Sequence, residues 1–224
     1  MRYYILLLKY YPPRNYFLRI LQFLFWFLSH YYNKKPTFEK LSLAIADSRS
    51  IMNFFSILEK VYDIFSKSKF FKEKNKIQRL LYLTYITSFC HISLHSFYFI
   101  IKLCGYNFSI LEKIVNGFYT STMLINLMRY KIELEELKNS KKKDLNLEEK
   151  EKKKMTIIGI IIIGFNLPLA CDGTGIIQNI IGIKLDKPMQ GFLGFFASAL
   201  QFYASSMKHL KEIKNNYINK DKKD

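Results

Sequence analysis

Glycine and proline are scarce in this 224-residue chain, at 9 and 5 residues. Short strands and tight turns need that punctuation, and without it the long runs between breaks read as helices. Acid is scarce as well: 18 Asp and Glu stand against 35 Lys and Arg, a formal net charge of +17. Cysteine numbers only three, Cys90, Cys104 and Cys171, each preceded by an apolar residue. They form no CxxC pair and no cysteine–histidine spacing, which excludes a zinc module or a disulfide framework and leaves reduced packing residues. There is no phosphate-cradling glycine loop, no serine elbow and no metal triad, so neither enzyme activity nor a cofactor is expected. Gly173-Thr174-Gly175 follows no strand and reads as a turn. After Met1-Arg2 the apolar stretch Tyr3 to Leu8 is cut short by Lys9, and Pro12-Pro13 follows without a small-residue cleavage site, so secretion is not expected.

What the chain has in quantity is apolar and aromatic side chain, 50% and 17% of residues. Disordered basic chains lack aromatics, so disorder does not explain the charge. A nucleic-acid binder would gather its lysines on one soluble face. Here they sit in linkers between apolar helices, which points to an anionic phospholipid membrane and away from nucleic acid.

Two uncharged stretches carry the strongest pattern, Met155 to Ala170 and Pro188 to Met207. Each approaches the ~20 residues that a helix needs to cross a bilayer. Lys152-Lys153-Lys154 precede the pair and Lys208, Lys211 and Lys214 follow it. Lysine beside a crossing stays on the cytosolic side, so a hairpin with both ends cytosolic is expected. The alternative is a buried helical pair in a soluble domain. Gly159 and Gly164 on the first limb and Gly191, Gly194 and Ser198 on the second are small enough for tight packing of the two limbs on each other.

Four helices precede the hairpin. The first, from about Arg14 to Tyr32, carries a narrow polar stripe of Asn15, Arg19, Gln22, Ser29 and Asn33; it either lies deep in the bilayer interface or packs on other helices. The second, Leu41 to Lys67, sets Leu41, Ala44, Ile51, Phe55, Leu58, Tyr62 and Phe65 on one side and Arg49, Asn53, Ser56, Lys60 and Asp63 on the other. Lys67, Lys69, Lys72, Lys74, Lys76 and Arg79 follow it, and each contributes about 1 kcal/mol of attraction near an anionic surface. Arg14, Arg19, Arg49, Lys60 and this basic run are therefore the expected membrane-binding residues. The third helix, Lys76 to Leu103, is apolar enough to span but is thinned by Thr84, Thr87, Ser88, Ser93, Ser96 and two histidines. His91 and His95 stand one turn apart, a metal spacing in principle, yet no third ligand follows and a polar face toward a bundle explains them better. The fourth opens on the capping-box pattern Ser109 to Glu112 and ends in the charged stretch Lys131 to Lys154, which reads as a solvated helix end and loop.

The order of these parts resembles the peroxisomal biogenesis factor 11 (peroxin-11) family. Phe17-Leu18-Arg19-Ile20-Leu21-Gln22-Phe23 looks like the family's opening Leu-x-Arg-x-x-Gln-Tyr helix. Leu43 to Leu58, around Asp47-Ser48-Arg49-Ser50, is similar to its Ser-Arg-Lys segment. Phe118 to Leu137, with Leu124-Ile125-Asn126-Leu127-Met128-Arg129, resembles the helix before its variable loop. Asn166-Leu167-Pro168-Leu169-Ala170 and Gly191 to Ser198 resemble its Asp-Leu-Pro-x-Ala and Gly-x-x-Gly-x-x-Ser-Ser elements. Ser50 and Asn53 stand where the family has bases, and Asn166 stands where it has an acid.

The resemblance implies a non-enzymatic, multi-pass protein of the peroxisomal membrane that inserts amphipathic helices, curves and elongates the membrane and supports organelle fission. It also implies homo-oligomers and a dynamin-like GTPase among the fission partners. The expected fold is all-α and membrane-integral: amphipathic helices over 1–104, a fourth helix over 105–137, a charged cytosolic loop over 138–154, the transmembrane hairpin over 155–207 and a basic tail over 208–224. A small transporter or channel with His91 and His95 along its path is the alternative function.

Overall fold

The computed structural model describes residues 11–31, 36–66, 75–106, 108–139, 147–174 and 184–220. Prolines start the first two helices, in the first turn, where the missing N–H removes no helical bond. Helix α1 is Tyr11–Tyr31, with Pro12 and Pro13 in its first turn, and α2 is Pro36–Ser66. Helix α3, Lys76–Leu103, is capped by Asn75, whose side-chain oxygen accepts the Ile77 N–H at 2.8 Å. It closes on Gly105 at φ +86°, with the Tyr106 N–H returning to the Ile101 carbonyl at 3.2 Å. That left-handed turn is one an L side chain rarely adopts.

Helix α4 is Ser109–Asn139. The Phe108 carbonyl accepts the Leu111 and Glu112 N–H groups at 3.0 and 3.2 Å, so Ser109 lies inside the helix and the expected capping box is not formed. Glu112 instead lies near Tyr98 of α3. Helix α5 is Leu147–Thr174 and α6 is Lys187–Lys220, the latter capped by Asp186, which accepts the Met189 N–H at 2.8 Å.

The third helix has the bounds its sequence indicates. The charged loop expected over 138–154 is corrected: α4 runs to Asn139 and α5 starts at Leu147. Glu148 and Glu149 precede Lys152 and Lys153 by four residues, the orientation in which such pairs support a helix even without an apolar face. Likewise α6 continues through the expected tail as far as Lys220.

Each helix packs antiparallel on the next, and α6 returns to α1, so the six form a closed ring. The contacts fix the direction. Phe17 meets Phe202 while Gly191 meets Phe27, and Phe25 stacks on Phe38. Thr84 reaches Asn126 while His91 reaches Val115, and Phe165 stacks on Phe196. Helices α1 and α2 therefore stand alongside the apolar helices of the ring and are not separate rods.

The ring is polar inside and apolar outside. Among the described residues the buried side chains include Ser29, Ser42, Ser50, Ser56, Ser96, Thr120, Thr122, Glu133, Thr156, Asn166, Ser198 and Ser206, against Val115, Met123, Ile163, Ala170 and Ala197. Facing outward are Leu41, Ile51, Tyr62 and Phe65 of α2, the last two 72% and 74% exposed, together with Phe97, Ile110, Ile157 and Phe192. A water-soluble core reverses this distribution. Hence the apolar stripe of α2 looks out, and its opposite stripe, with Ser42, Arg49 and Ser56, looks into the bundle.

Among the described residues two helices are long and apolar enough to cross a membrane, α3 and α5, and only 6% and 28% of their most apolar windows are buried. Helix α6 is not one of them. Gln190, Ser198, Gln201, Ser205 and Ser206 dilute its apolar stretch, so the second limb of the expected hairpin fails this measure while α3 meets it.

Candidate functional site

Residues 15, 19 and 22 lie four and three positions apart and so share one face of α1. That face looks into the ring. Arg19 donates from Nη1 to Gln201 Oε1 at 3.0 Å, and from Nη2 to Asn166 Oδ1 at 3.0 Å and the Tyr119 hydroxyl at 3.3 Å. One guanidinium thus ties α1 to α4, α5 and α6. The Phe23 ring lies 5.5 Å from its Cζ.

Asn166 is fully buried, and its Nδ2 donates to the Ile162 carbonyl at 3.0 Å, which fixes its oxygen toward Arg19. Two residues on, Pro168 lies within the helix and supplies no N–H to the Gly164 carbonyl. The family-like Asn-Leu-Pro run is therefore a locally loosened turn of α5 beside a buried charge.

A second arginine makes its own set of bonds to the same face of α1. Arg49 of α2 donates from Nε to Asn15 Oδ1 at 3.0 Å and from Nη1 to Gln22 Oε1, while the Ser42 hydroxyl donates to the Gln22 carbonyl at 3.0 Å. On the far side, the His91 ring stands 5.0 Å from Tyr119 and 5.9 Å from His95, and His91 Nδ1 lies 3.1 Å from the Val115 carbonyl. Nδ1 of His95 is buried without a hydrogen-bond partner.

Among the described residues Arg19 has only neutral hydrogen-bond partners. A guanidinium stays protonated in any protein environment. Removing it from water carries a penalty of several kcal/mol that three hydrogen bonds and an aromatic face offset only in part. The site is thus a fixed positive charge held inside a polar seam.

The chain matches no protein-family model, no curated protein and no solved structure.

The expected membrane-binding residues divide into three groups. Arg14, Lys76 and Arg79 are exposed. Arg19 and Arg49 are corrected: both turn into the ring, because Asn15, Gln22, Tyr119, Asn166 and Gln201 offer acceptors there. Lys67, Lys69, Lys72 and Lys74, and the side chain of Lys60, lie outside the described residues. The charge is lopsided along the ring axis. Where α1 begins and α6 finishes, exposed Arg14, Lys76, Arg79, Lys131, Lys138, Lys150, Lys152, Lys153, Lys154 and Lys208 outnumber Glu135, Glu136, Glu148, Glu149 and Glu151. At the other end Lys40, Lys102, Lys113, Lys184 and Lys187 are nearly balanced by Glu39, Glu112, Asp172 and Asp186.

The packing glycines serve different seams from the one expected. Gly191 and Gly194 face Phe27 and Phe23 of α1, and Gly159 faces the Tyr130 ring of α4. Gly164 is exposed, with nothing within 4 Å of where a Cβ would sit. Ser198 is buried and donates to the Gly194 carbonyl at 2.6 Å. Among the described residues no three His, Cys, Asp or Glu come together, so His91 and His95 gain no third metal ligand. All three cysteines are free, and Cys104 is exposed at the end of α3.

Tyr119 and Gln201 are the hub residues that sequence reasoning passed over. Gln201 had a signal: an amide amid an apolar run that could face inward. Tyr119 had none, since this chain is rich in tyrosine.

Proposed function

We propose that this protein is a non-enzymatic, membrane-embedded helical scaffold that shapes and elongates an organelle membrane, of the peroxisomal type its sequence resembles. The observation that carries the embedding is the inverted ring, with serine, threonine, asparagine and arginine inside and phenylalanine, isoleucine and leucine outside. In water such a surface aggregates; in lipid it is solvated, and the small polar residues bind the helices together.

The family reading draws support from convergence. Arg19 of the first resembling stretch, Tyr119 of the third and Asn166 of the fourth make one hydrogen-bonded set, and Gln22 of the first and Arg49 of the second make another on the same face of α1. Residues that matter only for lipid contact would not gather at a shared point. The excess cations at one end then act on one leaflet, since each lysine near an anionic surface contributes about 1 kcal/mol and the attraction decays within a Debye length. Drawing anionic headgroups and inserted protein mass to a single leaflet expands that leaflet and favours curvature. In this reading both termini are cytosolic and the protein acts as a homo-oligomer alongside a fission GTPase.

The test is a tagged copy expressed in cells, with organelle identity, number and length scored. Elongated, more numerous peroxisomes are expected, and the protein should remain in the pellet after alkaline carbonate washing. Unchanged organelles at high expression refute the shaping role, and extraction by carbonate refutes the embedding.

One observation favours a second reading, a transporter or channel. His91 and His95 adjoin Tyr119 inside the ring, next to Arg19, which is where a solute path would run. Anion flux through the full-length protein in liposomes, abolished by His91→Phe, distinguishes it.

A further inference from the structure

Arg19 forms part of the wall of a cleft of about 550 Å³ that it shares with Trp26, Lys113, Asn116, Tyr119 and Lys184. The cleft lies toward the end of the ring where α4 begins and α5 finishes. Three cations thus border one cavity, and they come from α1, α4 and the segment before α6. Two carboxylates also border it, Glu112 and Asp172, so the three cations exceed the acids by one. Asp172 accepts the Leu185 N–H at 3.1 Å and Gln190 Nε2 at 2.9 Å, which turns its oxygens toward α6.

We propose that this cleft is a binding site for a phosphate-bearing anion, with the Arg19 guanidinium at its inner wall and Lys113 and Lys184 at its rim. Arg19 uses three of a guanidinium's five N–H donors on Gln201, Asn166 and Tyr119, all neutral. The Nε–H, one Nη1–H and the full positive charge remain for an oxyanion, and since both Nη2 hydrogens are used each remaining donor offers a single, unpaired hydrogen bond. The lysine ammonium groups act as point charges that draw the anion in, while the Asn116 amide and the Tyr119 hydroxyl can hydrogen-bond further oxygens. The volume accommodates a phosphate carrying a small organic group. A phospholipid headgroup and a free phosphate compound share this chemistry. The inference goes beyond the membrane-shaping reading and does not require it.

Trp26 is the only tryptophan of the chain and lines the cleft, so its emission reports on this site alone. The experiment titrates the full-length protein in a neutral detergent with inorganic phosphate, with dihexanoyl phosphatidic acid and with dihexanoyl phosphatidylcholine, at constant ionic strength. A saturable change in Trp26 emission with phosphate or phosphatidic acid, absent with phosphatidylcholine, is expected. Response to phosphatidic acid alone assigns a lipid headgroup; response to both assigns the phosphate itself. Lys113→Gln with Lys184→Gln, exposed positions outside the hub, should weaken binding about tenfold or more, since two of the three charges that attract the anion are removed. An unchanged affinity in that double variant overturns the proposal, as does the absence of saturation or an equal response to sodium chloride.

Discussion

Adding one methyl group at two glycines separates packing from helix propensity. At Gly191 an added Cβ stands 3.0 Å from Cα, Cβ and N of Phe27, so α1 and α6 must part along their backbones. At Gly164 nothing lies within 4 Å. Both positions are helical, and alanine gains about 1 kcal/mol over glycine in a helix interior. That gain is common to both variants and cancels when they are compared. The remainder at Gly191 is overpacking, about 1–3 kcal/mol. Gly191→Ala should therefore melt lower than Gly164→Ala by roughly 2–12 °C, at 2–4 °C per kcal/mol for a chain of this size. The assay is helical circular dichroism of the full-length protein in detergent against temperature. Equal melting temperatures, or a lower one for Gly164→Ala, would refute the account of α1 and α6 as the close-packed seam and restore the α5–α6 pairing.

Arg19→Gln removes three hydrogen bonds and the buried charge's desolvation cost together, so the net change should stay within about 1–3 kcal/mol, the cost of one unsatisfied buried group. Asn166→Asp gives Arg19 a carboxylate and should raise the melting temperature in the parent while lowering it in Arg19→Gln; the same sign in both backgrounds would disprove the coupling. Gly105→Ala forces an alanine to φ +86° and should cost about 1–2 kcal/mol, read in the same melt. Cys104 is exposed at the end of α3 opposite the start of α1, so with that start on the cytosolic side a membrane-impermeant maleimide should label it in sealed organelles only after permeabilisation. Labelling of intact organelles at that thiol contradicts cytosolic termini.

The helices were largely legible in the sequence, because scarce glycine and proline and strong periodicity leave few other conformations. The polar stripe Asn15-Arg19-Gln22 was legible as a stripe, but not its direction. Periodicity identifies two faces and is silent on which solvent each one meets, so Arg19 and Arg49 were assigned to lipid headgroups when both face the interior. The partners of the hub lie far apart in sequence, Arg19 with Gln201 at a separation of 182 residues, and no local pattern encodes such pairings. The small-residue positions were visible too, yet a glycine shows only that something approaches closely. That Phe23 and Phe27 do so, and not α5, required the ring. The charged helical start of α5 was misread as loop because apolar periodicity is absent there and paired Glu and Lys sustain the helix instead.

Ring closure has a consequence for biosynthesis. The guanidinium of Arg19 leaves the ribosome first, and its acceptors at 119, 166 and 201 emerge 100 to 182 residues later. Tyr119 and Asn166 supply two of the three bonds once α4 and α5 are made, and Gln201 supplies the last only when α6 has emerged. A chain cut short before Gln201 therefore holds the guanidinium with one acceptor fewer.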